Sequence, residues 1–558
     1  MSGCSVGRPD VASWKGVQVH RSAVPTRPRS AARPVVLATV LVSIAALIVT
    51  SLGGPSEATG RHRPFPLDLE RAGIPQIREA LNARRISSEE LVQAYLERIR
   101  KLNTNGPGLN AVRVVTRDAV AQAKRADQER QRGRAKGPMH GIPVLIKDNI
   151  DLSGLPTTAG AMALEDSYPA RDAFLVTRLK AAGAIILGKT NLTEFANFTT
   201  SGMPSGYSGL GGQVLNPYDV SQTPSGSSSG SGSAAAAALA TVTIGTETSG
   251  SILSPSVANS LVGVKPTVGL VSRTGVVPIA ASQDTAGPMT RTVYDAAALL
   301  GALTGIDPED PVTGTSSAVV GTDYTRALST TALRGSRIGV ASTPTGNQGA
   351  LFTEALDVLR VRGATVVPVT VNTGGLPPGI LGYEFKRDLN AYLARLPRHA
   401  PMETLDDVVE WNLAHADEGA IKFGQTQLVA SNEIDLTDPV ARTEYETNRD
   451  AGIAGARERI DSVLAAENLD AIVFVGSGSA GIGARAQYPS VAVPIGYDPA
   501  NGRPVGMSFL GTAYTEARLL ALAYDYEQAS ARWRPPSQVN PSLFRCADLG
   551  DRESSCAP

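Results

Sequence analysis

The chain has 558 residues, of which 42% are hydrophobic and 19% are charged, so it can bury a large core and is not disordered throughout. Lysine plus arginine and aspartate plus glutamate are balanced at 52 each, so the composition gives no electrostatic reason to expect nucleic acid or an acidic partner. Length alone is compatible with three or four domains of about 150 residues, but large α/β domains exceed that size, and the order of predicted elements must decide.

The first 60 residues combine a basic segment with an apolar run. Residues 1–33 carry six arginine or lysine residues against one aspartate, and residues 35–52 contain no charged residue. This order is typical of a secretory signal or an N-terminal membrane anchor, and in both cases the folded part is expected to be exported. The run is long for a signal core and just long enough to cross a bilayer of about 30 Å, and no clean small-x-small cleavage site precedes Arg61. Anchor and cleaved signal therefore both stay open.

Residues 541–558 form a polar tail that contains Cys546 and Cys556. If the tail is exported, a disulfide between these two residues would close it, whereas two unpaired thiols in a disordered end are an equally good interpretation. Cys4 precedes the apolar run and is expected to stay reduced.

Residues 61–540 are predicted to form the folded domain, in which helices and strands alternate. Ser87 as N-cap and Glu90 three residues later form a capping box that starts a helix. The β-branched run at 141–150 predicts a buried strand that delivers Lys147 at its end. A helix at about 173–182 and a strand at 184–187 complete a strand–helix–strand unit, for which parallel pairing is expected. The later predicted elements are strands at 337–340, 365–369 and 471–475 and helices at about 352–361 and 515–527.

This alternation predicts an α/β fold with a single large doubly wound domain, in which helices cover a mixed, mostly parallel central sheet. A Gly- and Pro-rich stretch at 373–379 precedes a helical region at about 381–465, which is predicted to form a lobe over the site.

The segment SGSSSGSGS at 225–233 has a composition that is most often a flexible linker. Here, however, it follows a predicted tight turn at Pro224 and continues directly into the small residues 234–239. The sequence therefore predicts a Ser/Gly turn that enters a closely packed helix. Glycine allows backbone conformations that bring hydroxyl groups close to a substrate, and a serine becomes a nucleophile when a neighbouring base takes its proton.

Few residues can supply that base. The five histidines are His20 and His62 beside the apolar run, His140 beside a core strand, and His399 and His415 in the predicted lobe. For His140 a structural hydrogen bond is the favoured interpretation. Lys147 ends an apolar strand, where lost solvation would lower its pKa and make it a base near neutral pH. The residues alone nevertheless favour a salt bridge from Lys147 to Asp148 or another carboxylate.

Three segments resemble, in their order, the diagnostic segments of the amidase signature family: GIPVLIKDNI at 141–150, PSGSSSGS at 224–231 and GTETSGSI at 245–252. The resemblance extends over roughly residues 70–530. Within that family the chain is similar to bacterial peptide amidases through GKTNLTEFANF at 188–198, KPTVGLVSRTG at 265–275 and SQDTAGPM at 282–289.

The resemblance implies a serine amidohydrolase with a Lys147, Ser227, Ser251 triad and with no metal or organic cofactor. Neutral Lys147 would draw a proton through Ser227, which in the family usually follows a cis peptide bond, and Ser251 would attack the amide carbonyl. The implied oxyanion hole consists of the backbone N–H groups of Thr248, Ser249, Gly250 and Ser251.

The expected partner is a small-molecule or peptide amide, with peptide C-terminal amides among the candidates, and an uncleaved N-terminal segment would add the membrane. Three positions depart from the family's common pattern and affect the expected substrate preference. Ser225 and Ser249 stand where glycine is common, and Leu253 stands where arginine is common. The sequence contains no readable code for the particular amide or for the oligomeric state.

Two other motifs compete with this interpretation. Residues 226–230 fit G-x-S-x-G with Ser228 at the centre, which would indicate an α/β-hydrolase esterase. No strand is predicted directly before that motif, and its triad would have to recruit His399 or His415. Residues 476–481 fit G-x-G-x-x-G after a predicted strand, but Pro489 interrupts the following helix early, so a loop on the substrate side is favoured over a dinucleotide site.

Two further alternatives keep the scaffold and change the function. One is a catalytically inactive, surface-tethered binding protein, which the intact triad disfavours. The other is a transamidating protein that acts on charged transfer RNA together with partner subunits, which the export segment disfavours.

Overall fold

A computed structural model describes residues 65–398 and 400–541 of the protein. The apolar run at 35–52, the polar tail from residue 542 onward, all three cysteines, and His20, His62 and His399 lie outside the described residues. No helix in the described part is long and apolar enough to cross a membrane. Export of the protein stays a prediction.

The strands are short, and six of the thirteen in the described residues are fully buried. They are β1 (Val112–Val115), β2 (Pro143–Lys147), β3 (Ile185–Thr190), β4 (Tyr207–Ser208), β5 (Gly212–Gln213), β6 (Val242–Glu247), β7 (Val262–Lys265), β8 (Thr285–Thr290), β9 (Arg337–Val340), β10 (Thr365–Pro368), β11 (Ala471–Val475), β12 (Ser490–Tyr497) and β13 (Pro504–Leu510). Within the described residues, eleven of them form one sheet in the order β1-β3-β2-β6-β8-β7-β12-β13-β11-β9-β10, while β4 and β5 pair with each other.

The predicted single α/β domain with a mixed central sheet is confirmed. Parallel pairing occurs in two blocks, β3-β2-β6 and β11-β9-β10. The other six neighbouring pairs of the large sheet are antiparallel. The sheet therefore has four parallel pairs among ten, which is fewer than the predicted strand–helix–strand units alone suggest. One reason is that β12 and β13 are consecutive strands joined by a short turn, and such a hairpin is antiparallel by necessity.

Helices cover the sheet. They are α1 (Ile74–Asn82), α2 (Ser88–Arg98), α3 (Ala119–Gln131), α4 (Phe174–Ala181), α5 (Glu194–Asn197), α6 (Ser229–Ala236), α7 (Leu253–Ala258), α8 (Val293–Leu303), α9 (Gly346–Val361), α10 (Leu381–Leu393), α11 (Leu405–Ala414), α12 (Thr426–Asn432), α13 (Pro439–Ala466), α14 (Ala480–Arg485), α15 (Glu516–Ser530) and α16 (Pro536–Val539). Short segments of other helical types lie at Ile99–Thr104, Met162–Leu164, Pro311–Ser316, Tyr324–Ala327 and Ala416–Glu418. The region 381–465, predicted as a helical lobe, contains α10 to α12 and nearly all of α13.

Local sequence signals account for several of these elements. The predicted capping box is confirmed, because Ser87 Oγ accepts from the Glu90 N–H at 3.0 Å and Glu90 Oε2 accepts from the Ser87 N–H at 2.8 Å. The strands predicted around Lys147 and at 337–340 and 471–475 are present. The structure lengthens two helices: α9 begins at Gly346 and α15 ends at Ser530.

The Ser/Gly segment enters a buried helix, as predicted, but this helix, α6, begins inside the segment at Ser229 and ends at Ala236. Every residue of α6 is buried, and the helix packs against the sheet. A methyl group placed on Gly230 would overlap the backbone oxygens of Ala111 and Asn191, so the helix can approach the sheet this closely only with glycine there. This close approach brings the turn before α6 to the ends of β2 and β6.

We expect Gly230→Ala to lower the free energy of unfolding by about 2 kcal/mol, because the added methyl group forces α6 away from the sheet. Gly481→Ala is the matched control, since Gly481 lies in helix α14 with nothing within 4 Å of the added atom. Alanine there should be neutral or slightly stabilising. Urea unfolding of both variants measures the difference, and equal stabilities would contradict the packing argument.

Candidate active site

The three motif segments meet at one edge of the sheet. Strands β2 and β6 are parallel neighbours, so Lys147 at the end of β2 and Glu247 at the end of β6 lie at the same edge. Lys147 is fully buried, and its Nζ donates to Ser227 Oγ at 2.9 Å and to Thr246 Oγ1 at 2.9 Å. The Gly226–Ser227 peptide bond is cis. The Ser227 carbonyl in turn accepts from the Thr193 N–H at 3.0 Å.

The charge of Lys147 is controlled by burial. Loss of solvation lowers the pKa of Lys147 to about 7, and the nearby carboxyl groups of Asp284 and Glu247 partly oppose that change. In the described part of the chain, no carboxylate forms a salt bridge with Lys147. Asp148 instead pairs with Lys189, at 3.2 Å, and with Arg113. The salt bridge that the sequence favoured for Lys147 is therefore absent from the described structure, because β3 and β1 supply other cations to Asp148.

Ser251 lies in the turn between β6 and α7, next to the Ser/Gly turn. Its carbonyl accepts from the Ser228 N–H at 3.1 Å, which fixes the two turns against each other. Within the described residues, Ser251 Oγ has no hydrogen-bond partner. Ser228 Oγ, by contrast, is bound to both the carbonyl and the N–H of Thr246, at 3.1 and 3.2 Å. Of these two hydroxyls, the one on Ser251 is the one left available for reaction.

Glu247 holds the turn that carries Ser251, a role that sequence analysis missed. Its carboxylate accepts from the N–H groups of Gly250 at 2.8 Å, Ile252 at 2.7 Å and Leu253 at 2.9 Å. Hydrogen bonds to an ionised acceptor are the strong ones, so this carboxylate fixes the shape of the turn. An acid at the end of a buried strand, inside the motif, is the signal that could have indicated it.

This arrangement changes the predicted oxyanion hole. The N–H of Gly250 is already donated to Glu247, so Gly250 does not belong with the other three predicted donors. The N–H groups of Thr248, Ser249 and Ser251 have no acceptor among residues 65–398 and 400–541. These three can still face a developing oxyanion.

The other sequence candidates lie away from this cluster. His140 is buried, with Nε2 3.0 Å from the Ala126 carbonyl oxygen, so it is a structural histidine as predicted. His415 stacks on Trp411 at 3.8 Å and is 2.8 Å from that residue's carbonyl oxygen. No group of histidines, cysteines and acids in the described part could hold a metal ion.

The remaining motif positions fit the predicted local structure. Ser225, where glycine is common in the resembled family, has φ of +59°, a conformation that glycine adopts without strain. The Gly-rich motif at 476–481 forms a loop over its first four residues and ends inside α14, which has only six residues. Its Ser477 Oγ is 2.9 Å from Ser254 Oγ, so this loop borders the turn of Ser251, consistent with a loop on the substrate side.

Comparisons with known proteins find similarity to amidases over most of the chain. The protein-family model described as Amidase matches residues 90–474. A protein of Arabidopsis thaliana named probable amidase is 39% identical over 514 residues, which make up 90% of this chain and 97% of that protein. The solved structure of native peptide amidase from Stenotrophomonas maltophilia is 43% identical, with a TM-score of 0.79 over 85% of this chain and 99% of that chain. A putative amidase of Arthroderma benhamiae is 36% identical over 473 residues, 78% of this chain and 78% of that protein.

We expect Asp148→Ala to lower the free energy of unfolding by about 3 kcal/mol, because the buried Lys189 would lose its carboxylate partner. Glu79→Ala is the control, since Glu79 pairs with Arg85 on the surface and such pairs contribute less than about 1 kcal/mol. Urea unfolding measures both variants. A loss for Asp148→Ala no larger than that of the control would show that the ion pair does not stabilise the end of β2.

Proposed function

The chain belongs to the amidase family and is an enzyme that hydrolyses amide C–N bonds; we propose that it does so through an acyl-enzyme on Ser251, formed by a proton relay of Ser227 and Lys147. The observation that carries this proposal is the 2.9 Å contact between Lys147 Nζ and Ser227 Oγ. Lys147 contacts a hydroxyl, forms no ion pair within the described structure, and has its pKa lowered to about 7. It is therefore available as a neutral base near physiological pH.

In the first half-reaction, Ser251 Oγ attacks the amide carbonyl carbon and gives its proton to Ser227, whose own proton passes to Lys147. The C–N bond then breaks, and the proton returns through Ser227 to the departing amine nitrogen. The products of this half-reaction are the free amine or ammonia and an ester of Ser251. In the second half-reaction, water attacks that ester by the same relay and releases the carboxylic acid.

The negative charge on the carbonyl oxygen needs donors during both attacks. We assign this role to the N–H groups of Thr248, Ser249 and Ser251, which have no other acceptor within the described structure. A donor of this kind is typically worth about 3 kcal/mol in the transition state. The three hydrogen bonds from the turn to Glu247 hold these N–H groups in a fixed geometry before substrate arrives.

For the substrate we propose peptide C-terminal amides. The proposal is supported by similarity to the peptide amidase of Stenotrophomonas maltophilia, which covers nearly all of that enzyme. Two of the alternatives, a serine esterase and an inactive binding protein, have less support. Ser228 is bound to the backbone of Thr246 and no strand directly precedes it in the described chain, which argues against the esterase motif. Lys147 is buried and has no ion-pair partner among the described residues. An inactive binding protein would not need such a lysine.

We expect Ser251→Ala and Lys147→Met each to reduce kcat on a peptide amide by about four orders of magnitude or more, since the first removes the nucleophile and the second removes the base. Ser256→Ala is the matched control, because it makes the same chemical change five residues further along, at a buried hydroxyl that has no hydrogen-bond partner within the described structure. Its activity should stay within about threefold of wild type. Steady-state release of ammonia from the amide measures all three variants. Activity in Ser251→Ala close to that of the control would refute the proposed nucleophile.

The pH dependence should follow from the lowered pKa of Lys147. Protonated Lys147 cannot accept a proton, so kcat/KM should fall as the pH decreases below about 7 and reach a plateau above it. An unperturbed lysine would place this limb near pH 10. The carboxyl group of Asp284 has a pKa raised to about 7 by burial, so the measured value belongs to the pair. A rate that is independent of pH between about 5 and 9, or a limb near 10, would contradict the assignment.

A further inference from the structure

The turn that carries the proposed oxyanion donors is held from its other side by the segment 279–284. The Thr248 hydroxyl donates to Asp284 Oδ1 at 2.5 Å, and the Thr248 carbonyl accepts from Gln283 Nε2 at 3.3 Å. Both partners are buried, and both belong to the part of the motif SQDTAGPM that directly precedes β8. Thr248 is thereby fixed at its side chain and at its peptide group.

Asp284 has no unused oxygen. While Oδ1 accepts from Thr248, Oδ2 accepts from the N–H groups of Ile279 at 2.8 Å and Ala280 at 2.9 Å. One carboxylate therefore closes the 279–284 segment on itself and attaches it to the turn of Ser251. A neutral amide at this position could not accept all three hydrogen bonds in the same orientation.

The segment is itself attached to the helices over the site. Ser282 donates from its N–H and its hydroxyl to Glu384 Oε2 of α10, at 3.1 and 2.8 Å. Tyr445 of α13 donates to the other oxygen of Glu384 at 2.7 Å. The Ala281 N–H donates to Asp388 of α10 at 3.0 Å. A continuous set of hydrogen bonds thus runs from α13 and α10, through this segment, to Thr248.

From these contacts we propose that Asp284 is a positioning residue for catalysis, which acts through the Thr248 hydroxyl to hold the N–H groups of Thr248 and Ser249 toward the substrate oxygen. The proposal rests on the proposed function, because it assumes that this turn stabilises an oxyanion. It assigns no contact between Asp284 and the substrate.

If Asp284 positions the oxyanion donors, replacing it should weaken only the binding of species that carry negative charge on the carbonyl oxygen, which are the transition state and its analogues. We expect Asp284→Asn to lower kcat/KM for a peptide amide by about 10- to 100-fold, mostly through kcat, since misplacing oxyanion donors costs less than removing them. A peptide aldehyde forms a tetrahedral oxyanion adduct with a nucleophilic serine. Its affinity should fall by the same factor as kcat/KM, while KM for the amide changes less than about threefold.

The Thr248 variants test the proposed route. Thr248→Val removes the hydroxyl and should cause the same loss as Asp284→Asn, whereas Thr248→Ser keeps the hydroxyl and should stay within about threefold of wild type. The double variant Asp284→Asn, Thr248→Val should be no worse than either single variant, because both changes break the same contact.

Asp295→Asn is the matched control for removal of a buried acid. Asp295 is fully buried and accepts from the Ile74 N–H at 2.8 Å. It lies beyond the C-terminal end of β8, whereas Asp284 directly precedes the N-terminal end of that strand. This variant should lower the melting temperature without changing kcat/KM or aldehyde affinity by more than about threefold.

Two results would overturn the proposal: a folded Asp284→Asn enzyme with wild-type kcat/KM and wild-type aldehyde affinity, or a Thr248→Val enzyme as active as Thr248→Ser. If Asp284→Asn does not fold, the two Thr248 variants decide the question. Failure of the proposed function would be distinguishable, because Ser251→Ala would then remain active whatever the outcome at Asp284.

Discussion

The contact between the buried amine of Lys147 and the hydroxyl of Ser227 is the constraint on which the rest of the site depends. An amine accepts a proton near neutral pH only if burial lowers its pKa and no carboxylate restores the charge. The fold meets this condition by engaging the neighbouring acids elsewhere. Asp148 pairs with Lys189 and Arg113, and Glu247 accepts three backbone N–H groups.

Strand order brings the proposed catalytic groups to one edge of the sheet. The parallel block β3-β2-β6 places Lys147 beside the turn that follows β6, and the close approach of α6 brings in Ser227 from 80 residues away in the sequence. The antiparallel neighbour β8 then delivers the segment 279–284 to the same edge. Each layer therefore supplies a different part of the proposed site: the proposed base, the proposed relay hydroxyl, the turn with the proposed nucleophile and a support for that turn.

Much of this could be predicted from the sequence, because the signals are local. The strand that ends at Lys147, the capping box at Ser87 and the buried Ser/Gly helix depend on neighbouring residues. The partners of Asp148 and Thr248 could not be predicted, since each contact joins strands or loops far apart in the chain, 36 residues in the case of Thr248 and Asp284. The hydrogen bond from the Gly250 N–H to Glu247, by contrast, spans only three residues, and it was missed because sequence analysis had assigned no role to that carboxylate.

The most direct test of this account is to locate the covalent intermediate. An aryl carbamate acylates a nucleophilic serine and leaves a carbamoyl group that hydrolyses slowly, so peptide mapping by mass spectrometry can identify the modified residue. We expect one carbamoyl group per active enzyme, on Ser251, with parallel loss of amide hydrolysis and no modification in Lys147→Met at neutral pH. Inactivation that accompanies modification of Ser227 or Ser228, with Ser251 unmodified, would contradict it.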